Sequence, residues 1–226
     1  MNKLNDIVLE GNSNVMKTDF FIKKGYSLAT INKYRLGYLE EGLKSYEGLI
    51  DEDSLILYCY KYIIPDYDEN NLIKYCICRC DQKSMNSILS FEIDKHYYVG
   101  ASDRIIWNAK ALESVKPIFI CETWTDALSV IDCGYEAIAL NRIVNISLLW
   151  KNIKSLKRNN RFILFCDNDY YGKKANENLK NMLRNEKQYF SVVEEFPEGI
   201  KDANEWFLFD KDSFRDMLRR KSHELL

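Results

Sequence analysis

Residues 161–175 read RFILFCDNDYYGKKA. An apolar run at 162–165 leads directly to Asp167 and Asp169, with a glycine and lysines after them. A short apolar run that ends in turn residues is typical of a buried strand in a parallel sheet. Ligands bind at the carboxyl ends of strands in such sheets. The two aspartates therefore mark a candidate functional site.

Short apolar runs alternate with amphipathic stretches from about Pro117 onward. We predict strands at 117–121, 136–140, 161–166 and 189–196, and helices at 125–134, 146–156, 172–185, 202–208 and 211–226. Thr125 is the expected cap of the first of these helices, and Gly134 its stop. This alternation predicts an α/β fold with a mainly parallel sheet flanked by helices.

The first half of the chain has a different pattern of apolar and polar residues. We predict helices within 20–39, antiparallel strands within 54–81 around a turn at 66–71, and no regular pattern over 83–116. A break at Gly25 precedes Ser27, which is expected to cap the second helix. We therefore expect a smaller α+β N-terminal subdomain at 1–115, followed by a parallel-sheet domain with C-terminal helices at 116–226.

Composition excludes several classes of protein. The 226 residues carry 32 basic and 34 acidic side chains, a net charge of −2, which argues against a protein that coats DNA nonspecifically. No apolar run approaches the roughly 18 residues of a membrane span, so no membrane partner is expected. Seven cysteines and no apolar leader at the N-terminus predict free thiols in a reducing cytoplasm.

Three of the cysteines, Cys76, Cys78 and Cys80, form a C-x-C-x-C pattern. In a strand they would point to one face. The usual zinc spacing is C-x2-C, so ordinary buried thiols are the favoured interpretation and a zinc site is the alternative.

Three acidic residues follow two of the predicted strands. Glu122 comes directly after 117–121, and Asp167 and Asp169 come after 161–166. The ends of parallel strands meet at one edge of a sheet, where neighbouring carboxylates repel each other. A divalent cation removes this repulsion, and hard oxygen ligands suit Mg²⁺. The alternative for D-N-D is simple turn and helix-cap chemistry.

The pattern resembles the Toprim domain. IFICETWTDALSVIDCGYEAIAL (118–140) is similar to its E-G-x-x-D-A motif, FILFCDNDYYGKKA (162–175) to its D-x-D motif, and FPEGIKDANEWFL (196–208) to the G-x-K-D-x-N segment of bacterial primases and phage primase–helicases. The resemblance implies Glu122, Asp167 and Asp169 as catalytic, metal-binding acids for Mg²⁺ or Mn²⁺. It implies Asp126 and Asp202 as supporting acids.

The N-terminal half resembles the RNA-polymerase domain of primases. The similar segments are FFIKKGYSLATINKYRLGYL (20–39), IIPDYDENNLIKYCICRCD (63–81) and HYYVGASDRIIWNAKAL (96–112). The resemblance covers about residues 18 to 210. By position it implies Arg79, Lys83, Lys110 and Lys201 as contacts to template or nucleotide phosphates.

The resemblance implies a DNA primase-type polymerase core of a phage, plasmid or other mobile element, in the cytoplasm of a bacterial host. Its partners would be a single-stranded DNA template, ribonucleotides and a replicative helicase. The chain shows neither the zinc ribbon nor the helicase domain of such proteins. Thr123 replaces the glycine of the first motif, which predicts a reshaped turn beside Glu122. A Toprim nuclease and a catalytically degenerate nucleic-acid-binding module are the alternatives.

Overall fold

The computed structural model describes residues 3–46, 54–88, 91–101, 104–156 and 159–224. The chain divides into two compact units. The N-terminal unit comprises Met1–Lys23 and Leu28–Asp103, and the C-terminal unit comprises Lys24–Ser27 and Arg104–Leu226. No helix among the described residues is both long and apolar enough to cross a membrane.

The N-terminal unit is an antiparallel sheet with helices. Its elements are α1 (Lys3–Ser13), α2 (Phe20–Lys23), α3 (Leu28–Lys33), β1 (Gly37–Tyr38), α4 (Ser54–Cys59), β2 (Tyr60–Tyr67), β3 (Ile73–Cys80), α5 (Gln82–Ile88) and β4 (His96–Val99), with 3-10 turns at Val15–Lys17 and Gly42–Tyr46. The strands lie in the order β1-β2-β3-β4. Helix α1, which we did not predict, buries Ile7 and Val8 in the same core as Cys76 and Cys78.

The three closely spaced cysteines are part of this core. Cys76 and Cys78 are fully buried, and Cys80 is 7% exposed. Burial raises the pKa of each of the three thiols, because an apolar environment disfavours the thiolate. Their alternation along β3 places them on one apolar face, as ordinary buried thiols.

One N-terminal prediction was wrong in detail. Residues 54–59 form helix α4, whereas we predicted a strand. A short apolar run does not distinguish the two by periodicity. The fully buried Leu57 and Cys59 belong to the same core as the sheet, so packing decides the conformation.

The C-terminal unit is built on a parallel sheet. Its elements are β5 (Ile118–Cys121), α6 (Trp124–Asp132), β6 (Glu136–Ala139), α7 (Ile146–Ser155), β7 (Arg161–Phe165), α8 (Tyr170–Asn185), β8 (Tyr189–Val192), α9 (Ala203–Phe209) and α10 (Lys211–His223), with 3-10 turns at Ala109–Glu113 and Ile143–Asn145. The order is β6-β5-β7-β8, and every neighbouring pair is parallel. The predicted α/β class is confirmed.

Both faces of this sheet are buried, as its continuous apolar strands predict. Ile120 and Leu164 belong to a cluster that includes Leu179 of α8. On β7, Phe165 packs against Phe214 of α10 at 6.0 Å between ring centroids. The strands are thereby fixed from two sides, and so are the residues that leave their carboxyl ends.

Residues 104–115 belong to the C-terminal unit, although we predicted a boundary at 115/116. Trp107 exchanges two main-chain hydrogen bonds with Ala139, at 2.9 and 3.1 Å. The side-chain amide of Asn108 donates to the carbonyl of Ala137 at 2.8 Å. These bonds attach the segment to β6, which no pattern in 83–116 indicated.

Candidate active site

The acidic residues leave two neighbouring strands at the same edge of the sheet. Strands β5 and β7 are paired, with Cys121 opposite Phe165. Glu122 follows the first strand, and Asp167 and Asp169 lie in the turn between the second strand and α8. The sequence-predicted acids are therefore brought to one place by the pairing of these two strands.

Glu122 has an unsatisfied oxygen. Its Oε2 is buried and has no hydrogen-bond partner among the described residues. Burial and the negative charge of Asp169 raise the pKa of Glu122, while the main-chain N–H of Asp167 opposes this shift. A buried carboxylate oxygen without a partner is costly, so this atom has an acceptor position that the described residues leave unused.

Of the three acids, Asp167 has the environment that most disfavours its ionised form. Its side chain is 13% exposed. Burial, followed by the charges of Asp126 and Glu122, raises the pKa of Asp167 from 3.8 to about 8. Lys201 opposes this shift from 3.9 Å, measured between Nζ and Oδ2. The ionised form of Asp167 therefore requires more positive charge than the chain supplies.

The environment of Asp169 has the opposite effect, because it favours the ionised carboxylate. It caps α8, where its Oδ1 accepts the N–H of Gly172 at 2.9 Å. Its Oδ2 lies 3.3 Å from Lys201 Nζ. The hydrogen bond from Gly172 and the contact with Lys201 lower the pKa of Asp169, so this carboxylate is ionised. The turn-and-cap interpretation of D-N-D holds for Asp169, but it leaves Asp167 unexplained.

The loop before α9 is tied to the D-N-D turn. The N–H of Asn168 donates to the carbonyl oxygen of Lys201 at 2.7 Å. The N–H of Lys201 donates in turn to Glu205 at 2.8 Å. These bonds fix the Lys201 main chain beside the acids, while its side chain is 55% exposed. The predicted phosphate contact at Lys201 thus lies at the site.

The supporting acids are also held in place. Asp126 is 2% exposed and accepts the N–H groups of Thr123, at 3.2 Å, and of Asn204, at 3.1 Å. Burial and the charge of Asp202 raise the pKa of Asp126 to about 6. Asp202 caps α9 by accepting the N–H of Glu205 at 2.7 Å. Both residues therefore organise backbone next to the three acids.

Thr123 does not require a reshaped turn. Its φ of −122° and ψ of 162° are extended values that any residue adopts. Thr123, and not Thr125 as we predicted, caps α6, and its hydroxyl donates to Asp126. The hydroxyl of Thr125 instead lies 2.6 Å from that of Thr123. The position therefore does not need the flexibility of glycine, and threonine forms a capping box with Asp126 there.

Asn204 is a positioning residue to which we assigned no role. Its side chain donates to the carbonyl of Lys24 at 3.0 Å and to the hydroxyl of Ser129 at 2.9 Å. Its Oδ1 accepts from Lys24 Nζ at 3.2 Å. At 3% exposure, it joins α6, α9 and the Lys24–Ser27 segment beside Asp126. Its place in the K-D-x-N pattern was the available signal.

Asn141 is a second residue that the sequence did not reveal. It follows β6 with a left-handed φ of 57°, and its N–H donates to the carbonyl of Glu122 at 2.7 Å. Its amide oxygen and nitrogen are both buried and lack partners among the described residues. The amide therefore offers a donor and an acceptor next to Glu122.

The remaining predicted phosphate contacts belong to three other elements. Arg79 is in β3 of the N-terminal unit, with its Nη1 3.4 Å from His96 Nε2. Lys83 is exposed on α5 of the same unit, and Lys110 lies in the 3-10 turn Ala109–Glu113 of the C-terminal unit. Of the four candidates, we place Lys201 at the acidic site.

The donor chemistry of this edge suits a divalent cation. Glu122 has a buried oxygen without a partner, and the pKa of Asp167 is raised because its charge is unbalanced. Hard carboxylate oxygens are the preferred ligands of Mg²⁺ and Mn²⁺. Among the described residues, no three His, Cys, Asp or Glu side chains converge as a finished metal cluster. The carboxylates are chemically suitable ligands for Mg²⁺ or Mn²⁺. Binding of the cation would have to bring their side chains closer together.

Strand order, the acidic edge and the D-N-D turn together define a Toprim-like domain, and residues 119–207 match the Toprim-like family, Toprim_2. The matched residues form a Toprim-like domain, and the fold of the chain is similar to that of the catalytic cores of bacterial and phage DNA primases. A comparison with curated protein sequences gave no match.

Solved primase structures share the fold over most of the chain. The zinc-binding and RNA-polymerase domains of Aquifex aeolicus primase match with a TM-score of 0.68 at 17% identity, over 98% of this chain and 59% of that one. The primase fragment of the bacteriophage T7 primase-helicase protein matches at 0.62 and 19%, over 86% and 70%. A DnaG catalytic domain bound to single-stranded DNA matches at 0.59 and 15%, over 92% and 71%. At these identities the likeness establishes the fold.

Proposed function

We propose that this chain is the catalytic core of a primase-type polymerase, which makes short RNA primers on single-stranded DNA. The main supporting observation is the set of acids at the carboxyl ends of two neighbouring strands. The buried Oε2 of Glu122 has no hydrogen-bond partner among the described residues, and burial and neighbouring charges raise the pKa of Asp167. The primase-core fold of the whole chain supports the assignment, as does the DnaG catalytic domain that binds single-stranded DNA.

The reaction joins two ribonucleotides: the 3′-hydroxyl of one attacks the α-phosphorus of the other, and pyrophosphate leaves. Glu122, Asp167 and Asp169 would hold Mg²⁺ or Mn²⁺, which supplies charge neutralisation for the nucleotide phosphates. Lys201 contacts the two aspartates and is half exposed, so its ammonium group is available to an incoming phosphate. Its main chain is held by Asn168, which keeps this cation at the acids.

The surrounding polar groups keep the acids in place. Asp126 accepts hydrogen bonds from Thr123 and Asn204 and so fixes the chain just after Glu122. Capping of α8 fixes Asp169. A rigid arrangement is what nucleotidyl transfer needs, because its catalysis depends on positioning and on electrostatic stabilisation.

The template, ribonucleotides and a replicative helicase are the proposed partners, and Arg79, Lys83 and Lys110 the proposed further phosphate contacts. A phage, plasmid or mobile-element origin and the cytoplasm of a bacterial host are part of the same proposal. A Toprim nuclease would use the same acids without nucleotides, so the experiment has to separate the two activities.

The test is a primer-synthesis assay. The protein is incubated with mixed-sequence single-stranded DNA and labelled ribonucleotides, with Mg²⁺ or Mn²⁺, with and without a bacterial replicative helicase. We expect short RNA products, and a loss of at least about 100-fold in Asp167→Asn. Asp212→Asn is the matched control, since its side chain is 94% exposed in the same unit.

Two results would contradict the proposal. The first is an absence of RNA with either metal and with the helicase. The second is cleavage of plasmid DNA without nucleotides that disappears in Asp167→Asn while no RNA is made, which would favour the nuclease.

A further inference from the structure

The parallel sheet of the C-terminal unit has two edges, and the described residues pair further main chain with only one of them. At the β6 edge, Trp107 exchanges two main-chain hydrogen bonds with Ala139. At the other end of the strand order, β8 (Tyr189–Val192) is paired with β7 alone. We call the side of β8 that faces away from β7 the free edge. An edge strand presents unpaired N–H and C=O groups to any chain that can pair with it.

The hydrogen bonds to the β7 side show which main-chain groups of β8 face the free edge. The N–H groups of Tyr189 and Val193 donate to that side, at 3.3 and 3.0 Å. Alternate residues of a strand direct their N–H and C=O groups to opposite sides. Phe190 and Val192 therefore direct theirs to the free edge, where no described residue pairs with them.

The free edge lacks the features that usually prevent pairing with another chain. Residues 189–193 read YFSVV, with no charged residue and no proline, and Tyr189 is 64% exposed. A cavity of about 630 Å³ separates the chain at Val192–Glu194 from α8, and one of about 230 Å³ separates it from α10. Neither helix is therefore packed closely against the chain where β8 ends.

Ser191 gives a reason for this edge to pair with a second copy of itself. When two such edges pair in antiparallel orientation through their outward groups, Phe190 of each copy lies opposite Val192 of the other. Ser191 then lies opposite Ser191, in a pair without main-chain hydrogen bonds and with Cα atoms about 4.5 Å apart. Its Oγ is buried and has no partner among the described residues. In the pair, one serine hydroxyl can donate to the other.

The charges at the two ends of β8 favour the antiparallel orientation. Lys187, just before the strand, is exposed and forms no ion pair within the described part of the chain. Glu194 and Glu195, just after it, have side chains that are 71% and 88% exposed. Their ion pairs with Lys180 and Arg220, at 3.5 and 3.8 Å, are long and therefore weak. Antiparallel pairing brings Lys187 of each copy to the glutamates of the other, whereas parallel pairing brings like charges together.

We propose that two copies of this chain associate through the free edge of β8, in antiparallel orientation and with Ser191 at the centre. The association joins two four-stranded sheets into one continuous sheet. Phe190 and Val192 supply the main-chain hydrogen bonds between the copies. This interaction surface does not depend on the catalytic proposal above, because it uses none of the acids at the carboxyl ends of β5 and β7.

The first test is sedimentation of the full chain between about 1 and 200 μM, without DNA or nucleotides. We expect a concentration-dependent equilibrium between monomer and dimer. Val192→Pro removes an outward N–H from each copy, a change that edge strands tolerate, and should weaken the dimer at least about tenfold. Val192→Ala is the matched control, because it also loses the apolar side chain but keeps the N–H, and it should stay within about threefold of wild type. Urea unfolding checks that both variants keep the fold.

A charge exchange tests the orientation. Lys187→Glu and Glu195→Lys should each weaken the dimer about threefold or more, because each places like charges together at both ends of the paired strands. The double variant Lys187→Glu/Glu195→Lys restores opposite charges and should return to within about twofold of wild type. A double variant that dimerises no better than the single variants would overturn the antiparallel arrangement.

A disulfide tests the register. Ser191→Cys should form a disulfide between two copies on oxidation with diamide. Tyr189→Cys is the control, because its two copies would lie about 13 Å apart along the paired strands and should cross-link at least about tenfold more slowly. Both are made in a Cys133→Ser background, since the other six cysteines are buried. Equal rates in the two variants would overturn the register.

Two results would overturn the interface as a whole. The first is a wild-type chain that stays monomeric over the entire concentration range. The second is a dimer that Val192→Pro weakens no more than Val192→Ala does, which would place the contact on another surface. Primer synthesis is not part of either measurement, so failure of this inference leaves the catalytic proposal untouched, and the reverse also holds.

Discussion

Gly172 lies directly against the main chain of Asp167. A Cβ on residue 172 would lie 2.1 Å from the carbonyl oxygen of Asp167 and 2.7 Å from its main-chain nitrogen. Non-bonded carbon and oxygen do not approach this closely, so only glycine lets the first turn of α8 pack against the D-N-D turn. This contact, together with the cap at Asp169, sets where Asp167 stands.

Gly172→Ala should therefore disturb the site and the fold together. The clashing atoms are main chain and cannot rotate away, so we expect a loss of about 2–4 kcal/mol in the free energy of unfolding. Urea denaturation measures it. Gly134→Ala is the control, because its Cβ would meet nothing within 4 Å and only its φ of +90° is unfavourable. It should lose about 1 kcal/mol, and a smaller loss in Gly172→Ala than in this control would contradict the packing explanation.

The buried acids at the carboxyl ends of β5 and β7 should make the metal-free protein less stable as the pH rises. The pKa of Asp167 is raised to about 8 in the folded protein, whereas the unfolded chain releases this proton near pH 4. The folded state binds more protons between these values, so its stability falls as the pH rises through this window. Asp126, with a pKa raised to about 6, acts in the same direction. Thermal unfolding in EDTA at pH 6 and pH 8.5 tests this.

Asp167→Asn should remove much of this slope and raise the stability at pH 8.5 by roughly 1–3 kcal/mol. Asp212→Asn should leave the profile as it is, since that side chain is 94% exposed. An Asp167→Asn variant that is less stable than wild type at pH 8.5 without metal would refute the charge repulsion.

Mg²⁺ should reverse the effect in the wild type. A cation that binds only the folded state at ten times its Kd stabilises by about 1.4 kcal/mol. We expect the midpoint of unfolding to rise with Mg²⁺ or Mn²⁺ and to fall again with EDTA, and this response to be lost in Asp167→Asn. An equal response in both proteins would place the cation elsewhere.

The hydroxyl of Thr123 should contribute more to the stability of the fold than the backbone conformation of this residue does. Thr123→Val removes the donor to the buried Asp126 and the cap of α6, and should lower the free energy of unfolding by about 1–2 kcal/mol. Thr123→Ser keeps the hydroxyl and should stay within about 0.5 kcal/mol of wild type. If both variants behave alike in urea denaturation, the capping box contributes little.

The sheet and its acids could be predicted because their signals are local. The apolar run at 162–165 and the acids after it specify a buried strand and its carboxyl end, and the structure places Glu122 directly after the neighbouring strand. The fold class followed from the strand–helix alternation. The identity of the acids as metal ligands came from the family resemblance and stays a prediction.

The rest depends on tertiary contacts that no short pattern encodes. Helix α4 was missed because its apolar run has no distinctive period, and packing decided it. Residues 104–115 join the C-terminal unit through the bonds of Trp107 to Ala139, which lie 32 positions apart in the sequence. Asn141 follows a strand as many asparagines do, and only its buried, unpartnered amide sets it apart.

Asn141 gives the most direct test of a residue found from the structure alone. Its φ of 57° is easy for asparagine and glycine and unfavourable for alanine. Asn141→Gly keeps this backbone and removes a buried amide without partners, so its stability should equal or exceed that of wild type. Asn141→Ala should lose about 1 kcal/mol through backbone strain. Urea denaturation of the two variants separates backbone from side chain.

The activity of the same two variants tests the role of the amide. If the amide contacts substrate or a ligand at Glu122, both variants should lose primer synthesis, by roughly tenfold or more, because one oriented hydrogen bond is removed from the site. Asn141→Gly would lose activity without losing stability, which a purely structural residue does not do. Full activity in Asn141→Gly would show that the left-handed backbone, which carries the N–H bonded to Glu122, is all that this position supplies.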